Sequence, residues 1–180
     1  MNVLGISGSL RKDSFNAMAL RAAQKLAPAG MSISIGDISQ IPLYNEDVRD
    51  KGDPAAVTAI KAQMHAADAI LIVTPEYSFS IPGVLKNALD WLARPPTPLF
   101  DGKVVSIMGA STGNVGTARS QYHLRQVLVG MGALTAGKPE VFISNAASKF
   151  NAQGELTDAA TAKVIGELLV ALQQLKTRVG

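Results

Sequence analysis

Two periods of apolar spacing alternate along this chain, and the switches between them predict its elements. Val3-Leu4-Gly5-Ile6 lies in a strand over residues 2–6, apolar enough to be buried on both faces. A helical stripe of Ala19, Leu20, Ala23, Leu26 and Ala27 follows over about 16–27 and stops at Pro28 and Gly30. Residues 31–36, Met-Ser-Ile-Ser-Ile-Gly, alternate and read as a strand with one less-buried face. After a long connection from Asp37 to Gly52, Asp53-Pro54 reads as an N-cap with proline at the first helical position. Val57, Ile60 and Met64 mark that helix's buried face. Ala69-Ile70-Leu71-Ile72-Val73-Thr74 is continuous and β-branched, as a central parallel strand should be.

The second half repeats the rhythm. A loop over 75–82 leads into a helix over about 83–93, then a turn-rich connection, Arg94-Pro95-Pro96-Thr97-Pro98. A fourth strand spans 103–109, a glycine-rich loop ends at Gly116, and a helix covers about 117–131. The fifth strand falls within 134–143, interrupted by Gly137-Lys138-Pro139. A last helix over about 157–177 carries Val164, Leu168, Leu172 and Leu175. Five strands alternating with five helices predict one three-layer α/β domain over 1–180. Its doubly wound, five-stranded parallel sheet takes the order 2-1-3-4-5.

Composition narrows the classes without naming one. Apolar residues at 47% and charged residues at 17% describe a globular chain. A net charge of +3, from 17 basic and 14 acidic residues with no long like-charge run, gives no case for nucleic acid or a membrane surface. With no cysteine, disulfides, thiolate nucleophiles and cysteine-ligated metals are excluded. The chain enters a strand pattern at once and has no apolar stretch of membrane-spanning length, so a cytoplasmic protein is expected.

Candidate chemistry concentrates in three loops. Sheets of this order bind ligands beyond the carboxyl ends of their strands, where the strand order reverses. The loops there are residues 7–16, 75–82 and 110–117, which are also rich in Gly, Ser, Thr, Asn and Pro. Gly8-Ser9-Leu10-Arg11-Lys12-Asp13-Ser14-Phe15-Asn16 offers hydroxyls, an amide and a guanidinium at a helix start, where unpaired N–H groups and the helix dipole favour an anion. The plainer reading is a polar loop in which Ser14 or Asn16 caps the helix. Pro75-Glu76-Tyr77-Ser78-Phe79-Ser80-Ile81-Pro82 sets two aromatics on a proline-stiffened loop, which suits a flat heteroaromatic ring. Alternatively, Tyr77 and Phe79 close the core over the sheet edge. Glu76 could be a catalytic carboxylate, a ribose ligand or a helix-cap partner. The loop Ala110-Ser111-Thr112-Gly113-Asn114-Val115-Gly116 combines close backbone approach with hydroxyl donors, or is an ordinary glycine-rich turn.

Several familiar chemistries do not fit. The Walker and G-x-G-x-x-G patterns are absent, and Gly5-Ile6-Ser7-Gly8-Ser9 lacks the second glycine of a nucleophile elbow. His65 and His123 have no H-x-x-x-H spacing, which argues against a metal and for surface or interface positions.

Gly8-Ser9-Leu10-Arg11 with Ser14 and Asn16, then Pro75-Glu76-Tyr77, then Pro82-Gly83, Leu85-Lys86-Asn87-Ala88 and Asp90-Trp91 together resemble the NAD(P)H-dependent FMN reductases. Within them the chain is most similar to the bacterial quinone and chromate reductases. The resemblance implies a flavodoxin-like fold with non-covalent FMN and NADPH or NADH as electron donor. The acceptor would be a quinone or a similar small molecule, such as chromate, an azo compound or free flavin. It places Ser9, Arg11, Ser14 and Asn16 around the FMN phosphate, with Leu10 and Phe15 in the same segment. Pro75, Glu76, Tyr77, Ser78 and Phe79 would line the ring, and Ser111, Thr112 and Gly113 its other side. Ser78 stands where the family's usual Pro-Glu-Tyr-Asn has asparagine. No catalytic side chain is implied, because the flavin carries the chemistry. An electron carrier or sensor of the same fold is the alternative; such carriers are usually acidic, and this chain is slightly basic.

Val84, Leu85, Ala88, Leu89, Trp91 and Leu92 cover roughly 160° of their helix, more than one sheet contact needs. This suggests packing on a second copy, the alternative being burial within one subunit. The resemblance adds homodimers or homotetramers and makes Arg119, Tyr122 and Glu140 candidates for polar contacts between subunits.

Overall fold

The computed structural model describes residues 1–94 and 99–180. Most of the turn-rich connection expected at Arg94-Pro95-Pro96-Thr97-Pro98 therefore lies outside the described residues. The first half runs β1 (Asn2–Ser7), α1 (Phe15–Lys25), β2 (Ser32–Gly36), α2 (Glu46–Arg49), α3 (Ala55–Ala66) and β3 (Ala69–Val73). The second half runs α4 (Gly83–Leu92), β4 (Val104–Ala110), α5 (Ala118–Gly130), β5 (Leu134–Thr135), β6 (Val141–Ile143) and α6 (Ala159–Val179). All the strand pairs are parallel, in the order β2-β1-β3-β4-β5, with β6 also on β4.

The alternation of side chains along each strand divides the interior into two cores. Leu4 and Ile6 of β1, Ile70 and Ile72 of β3, and Val105 and Ile107 of β4 face Val57, Ile60, Leu85, Leu89, Leu124 and Leu128 of α3, α4 and α5. Val3, Leu71, Val73 and Met108 face Leu20 and Ala23 of α1 and Ile165, Leu168 and Leu172 of α6. The register Ile6↔Ile72↔Ile107 continues one such row across three strands. Burial on both faces explains why β1, β3 and β4 read as unbroken apolar runs.

The structure departs from the sequence reading at four places. The expected fifth strand is two short ones, β5 on Val104 and Val105 and β6 on Met108, Gly109 and Ala110, separated by the Gly137-Lys138-Pro139 turn. The connection from Asp37 to Gly52 holds the single helical turn α2, capped by Asn45 Oδ1 on the Asp47 N–H at 2.9 Å. Asp53 is not the cap of α3. Pro54 has extended backbone and its carbonyl accepts the first helical bond, from Thr58 N, while Asp53 pairs with Lys61 Nζ at 2.7 Å.

The fourth departure concerns α4. Leu85, Ala88, Leu89, Trp91 and Leu92 are all buried within the subunit. The extra apolar arc is covered by the chain from Ile38 to Tyr44. Trp91 Nε1 and Asn87 Nδ2 each donate to the Pro42 carbonyl at 2.8 Å, and the Tyr44 ring meets Trp91 edge-on at 5.0 Å. Burial of one such large side chain contributes about 1.5–3 kcal/mol, enough to fix a connection with little regular structure of its own. The width of the α4 face is thus no argument for a second copy.

Candidate functional site

The ends of β1, β3 and β4 bring the three loops together. β3 turns away after Val73, whose last partner is Met108, while β4 continues through Gly109 and Ala110. Gly109 allows this step: a side chain there would collide with the Thr74 carbonyl oxygen and the Thr117 hydroxyl. A cleft of about 320 Å³ opens beyond the strand ends, within the size range of small-molecule sites. It is lined by Ser9, Arg11, Ser14, Phe15, Asn16, Pro75, Glu76, Tyr77, Ala110, Ser111 and Thr112. A hollow of about 390 Å³ elsewhere, between α1 and the turn at Gln153–Leu156, is lined by Arg21, Lys25 and Glu155. Its charges answer one another, Lys25 Nζ lying 3.1 Å from Glu155, and it is remote from the strand ends.

The first loop leads into the start of α1 and is fastened from within. Ser14 is the N-cap of α1, its Oγ accepting from the Asn16 N–H at 3.2 Å and the Ala17 N–H at 3.4 Å. That hydroxyl does the capping work the plainer reading gave it. Ser9 Oγ lies 3.3 Å from the Tyr77 hydroxyl across the cleft. Arg11 is exposed, donates through Nη2 to the Asp13 carbonyl and sits 5.7 Å over the Phe15 ring. Its remaining guanidinium N–H groups leave it able to meet an anion. Leu10 is 53% exposed and stands outside the cleft lining.

Asn16 differs from the reading that put its amide on a phosphate. It is buried, with Nδ2 donating to the Ala110 carbonyl at 2.9 Å and Oδ1 accepting from the Ala110 N–H at 2.8 Å. Both ends of the carboxamide are engaged on one residue of β4.

In the second loop the Glu76 carboxylate is held by the start of α5. Its Oε1 accepts from Arg119 Nε at 2.7 Å and its Oε2 from the Ser120 N–H at 3.1 Å. Ser120 is the third residue of α5, so Glu76 supplies from another loop the cap that Thr117 does not provide. Of the three roles open in sequence, the helix-cap partner is the one observed. Tyr77 and Ser80 exchange backbone bonds at 3.1 and 3.0 Å, making a hairpin turn around Ser78 and Phe79. Both central residues have positive φ, 49° and 65°, a conformation that suits Asn or Gly far better than Ser or Phe. Tyr77 is 50% and Phe79 68% exposed, so neither ring closes the core. Phe79 carries the Arg119 guanidinium 4.1 Å above its ring, and Ser80 Oγ lies 2.7 Å from His123 Nδ1. The aromatic loop is therefore docked along one face of α5.

The third loop is folded on itself. Ser111 Oγ donates to the Gly116 carbonyl at 2.6 Å, so the donor expected for a ligand is spent. The Gly113 carbonyl accepts from Asn145 N, and the Ser111 carbonyl from Ala146 N. Gly116 has φ of 65° and lies against Phe142, where a side chain would press on backbone. Thr112 and Gly113 remain exposed beside the cleft.

Electrostatically the cleft is one-ended. Its charged lining residues are Arg11 and Glu76, and Glu76 is neutralised by Arg119, so positive charge remains at the α1 end. Arg119, Ser120 and His123 were missed as members of the site because each acts through the second loop, 43 or 44 residues away in sequence. The Arg119, Tyr122 and Glu140 proposed to meet another subunit have partners within this one. Arg119 holds Glu76, and Glu140 pairs with Lys138 at 2.8 Å. The Tyr122 phenol is pushed up by its hydrogen bond to Glu140, while Lys138 first and Tyr122 after it hold the Glu140 carboxyl down. His65 and His123 are both exposed, as expected.

The family model for NADPH-dependent FMN reductases matches residues 1–148. An NAD(P)H-dependent FMN reductase of Pseudomonas aeruginosa is 55% identical over 173 residues, covering 96% of this chain and 94% of that one. A quinone reductase of Escherichia coli K12 is 44% identical over 182 residues, with 99% and 97% covered. Among solved structures, the flavoenzyme NAD(P)H:(acceptor) oxidoreductase FerB of Paracoccus denitrificans superposes with a TM-score of 0.91 at 34% identity, covering 99% of this chain and 98% of its own.

Proposed function

Because the chain belongs to the NADPH-dependent FMN reductase family, we propose that it passes two electrons from NADPH or NADH, through bound FMN, to a quinone or a similar small acceptor. The observation that carries this is the convergence of the three loops on one cleft, cationic at the α1 end and bordered by the exposed ring of Tyr77. Those features fit a mononucleotide whose one end is an anion and whose other end is a flat ring. When bound, FMN would supply the chemistry of hydride and two-electron transfer.

The chain's own residues bind and orient. The Phe15 N–H, which Ser14 leaves uncapped at the start of α1, and the Arg11 guanidinium would receive the phosphate, with Ser9 beside them. Backbone groups of Ser78 and Phe79, at the tip of the turn that Tyr77 and Ser80 close, would meet the edge of the ring, so serine at 78 costs no ring contact that the peptide makes. Thr112 and Gly113 border its other side. Among the described lining residues the single carboxylate, Glu76, is occupied by Arg119 and Ser120, leaving it a positioning role. An enzyme whose specificity comes from pocket shape needs no paired acid and base. The electron-carrier alternative loses ground to reductase relatives at 44% and 55% identity.

We infer also that the whole chain is one FMN-binding domain working in the cytoplasm as a homodimer or homotetramer. No helix among the described residues is long and apolar enough to cross a membrane. Leu43, 84% exposed on a loop fixed to α4, and Val129, 69% exposed, are the apolar groups that a second copy would cover. Solution scattering at micromolar concentration tests this, and a monomeric mass overturns it.

The decisive experiment on function is spectroscopic. The purified chain should be yellow, bleach on anaerobic addition of NADPH or NADH, and recover its colour on adding a quinone. A protein that neither carries nor binds FMN refutes the reading. A yellow protein that neither nicotinamide bleaches is a carrier instead. Steady-state comparison of both nicotinamides, with quinone and free FMN as acceptors, then ranks donors and acceptors.

A further inference from the structure

The buried carboxamide of Asn16 has a job that the family reading does not give it. At the end of β4, Ala110 is paired on one side with Ile143 of β6, and Ser111 N donates to the Ile143 carbonyl there. In a strand, the N–H and C=O of one residue point to the same side and those of the next residue to the other. Ala110 therefore turns both polar groups toward the side where β3 has already left at Val73. Asn16, in the first turn of α1, fills that gap. Its Nδ2 donates to the Ala110 carbonyl at 2.9 Å and its Oδ1 accepts the Ala110 N–H at 2.8 Å. A carboxamide presents the same donor and acceptor as a peptide, so Asn16 stands in for the missing strand.

Resting on the FMN reading above, we propose that Asn16 is a positioning residue that sets the separation of the phosphate loop from the Ser111–Gly116 loop, and so holds ring and phosphate ends of the site in register without touching the phosphate. The clasp joins two segments 94 residues apart, at the point where both face the cleft. Among the described residues no other group bonds the Ala110 N–H or C=O. A side chain that reached for the phosphate would have to abandon two buried groups, each costly to leave unpaired.

Two flavins separate this role from a phosphate ligand, because riboflavin has the ring but no phosphate. Flavin is removed from the full chain, and FMN and riboflavin are titrated back by fluorescence quenching. Asn16→Ala should weaken both by about the same factor, on the order of tenfold, the scale of one lost hydrogen-bonded contact. Arg11→Ala, the phosphate-side control, should weaken FMN alone. Asn16→Asp supplies a second variant should alanine fail to fold. Ionised, its carboxylate accepts from the Ala110 N–H but repels the carbonyl; protonated, it again offers a donor and an acceptor. Its affinity for both flavins, relative to the unsubstituted chain, should recover as the pH is lowered toward 5. Weakening of FMN with riboflavin unchanged, or no change in either, overturns the proposal. If the unsubstituted chain binds neither flavin, the FMN reading itself fails and takes this one with it.

Discussion

Glu76 Oε2 accepts the backbone N–H of Ser120 at 3.1 Å, so a carboxylate from the loop after β3 caps the helix after β4. The same carboxylate binds Arg119, whose guanidinium covers Phe79. Helix capping and ion pairing can be told apart here. Glu76→Ala should cost about 1–2 kcal/mol, the range for a lost N-cap acceptor. Glu76→Gln keeps an oxygen for Ser120 and loses the pair with half-exposed Arg119, so it should cost less, below about 1 kcal/mol. Urea denaturation of the two variants measures the difference; equal losses would transfer the weight to the charge.

Arg11 is exposed and only lightly held, by the Asp13 carbonyl and the Phe15 ring. Its positive charge is therefore available to a ligand at little cost in internal contacts. Arg11→Ala should weaken FMN binding by about 1.5–3 kcal/mol, the range for a charge-assisted contact. Raising the ionic strength should narrow the gap between the two proteins, because salt screens an exposed charge. Equal FMN affinities would remove Arg11 from the site.

The turn at Ser78 and Phe79 stores strain that substitutions can release. Ser78→Asn should stabilise the protein by a few tenths up to about 1 kcal/mol, since asparagine enters the left-handed region more readily. Phe79→Ala keeps the unfavourable φ and loses the stacked guanidinium, for a loss of about 0.5–1 kcal/mol. Phe79→Gly loses the same contact but relieves the backbone, so it should lie above the alanine variant in thermal melts. The opposite ranking would mean that the turn is not strained.

Gly109 sits where the Thr74 backbone and the Thr117 hydroxyl crowd in. Backbone cannot swing aside as the tip of a side chain can. Gly109→Ala should destabilise by about 1–3 kcal/mol, the cost of forcing atoms into a packed core, and should weaken FMN as well, because β3 and β4 diverge there to open the cleft. A melt and a flavin titration that both match the parent protein would refute the crowding.

Asp158 predicts the acid side of the stability curve. The Thr161 hydroxyl first, and then the Thr161 N–H, hold its carboxyl below the ordinary aspartate range while it caps α6. A depressed folded value means stability fully present above the unfolded value, about 3.9, and lost as the pH falls through the lower folded one. Asp158→Asn keeps a capping oxygen but has no proton to take up. It should therefore lose less stability than the parent between pH 5 and about 3, read from melts at each pH.

Much of the site was legible because it is local. Arg11 and the cap Ser14 follow β1 within seven residues of its end, and a cap acts only over its own first turn. Glu76 and Asn16 were visible as residue types, but their work was not. The Glu76 carboxylate is spent 44 residues away on Ser120, and the Asn16 amide 94 residues away on Ala110. The breadth of apolar residues on α4 was also read correctly as a pattern, yet whether another copy or the Pro42–Tyr44 segment covers it is a question of chain path.

The sequence by itself determined the two-period pattern, hence the elements and the three-layer arrangement, while the sheet order came from the usual winding of such βα units. The elements and layers follow from burial and backbone sterics, which act on neighbours along the chain. Only the tertiary structure decided which polar atoms remain free for a ligand. A hydrogen bond needs its partners within about 3 Å, and residues that meet at that distance across a sheet leave no periodic trace in the chain. Asn16 is the clearest instance: its place at the start of the helix after β1 was written in the sequence, and its attachment to Ala110 was made by the fold.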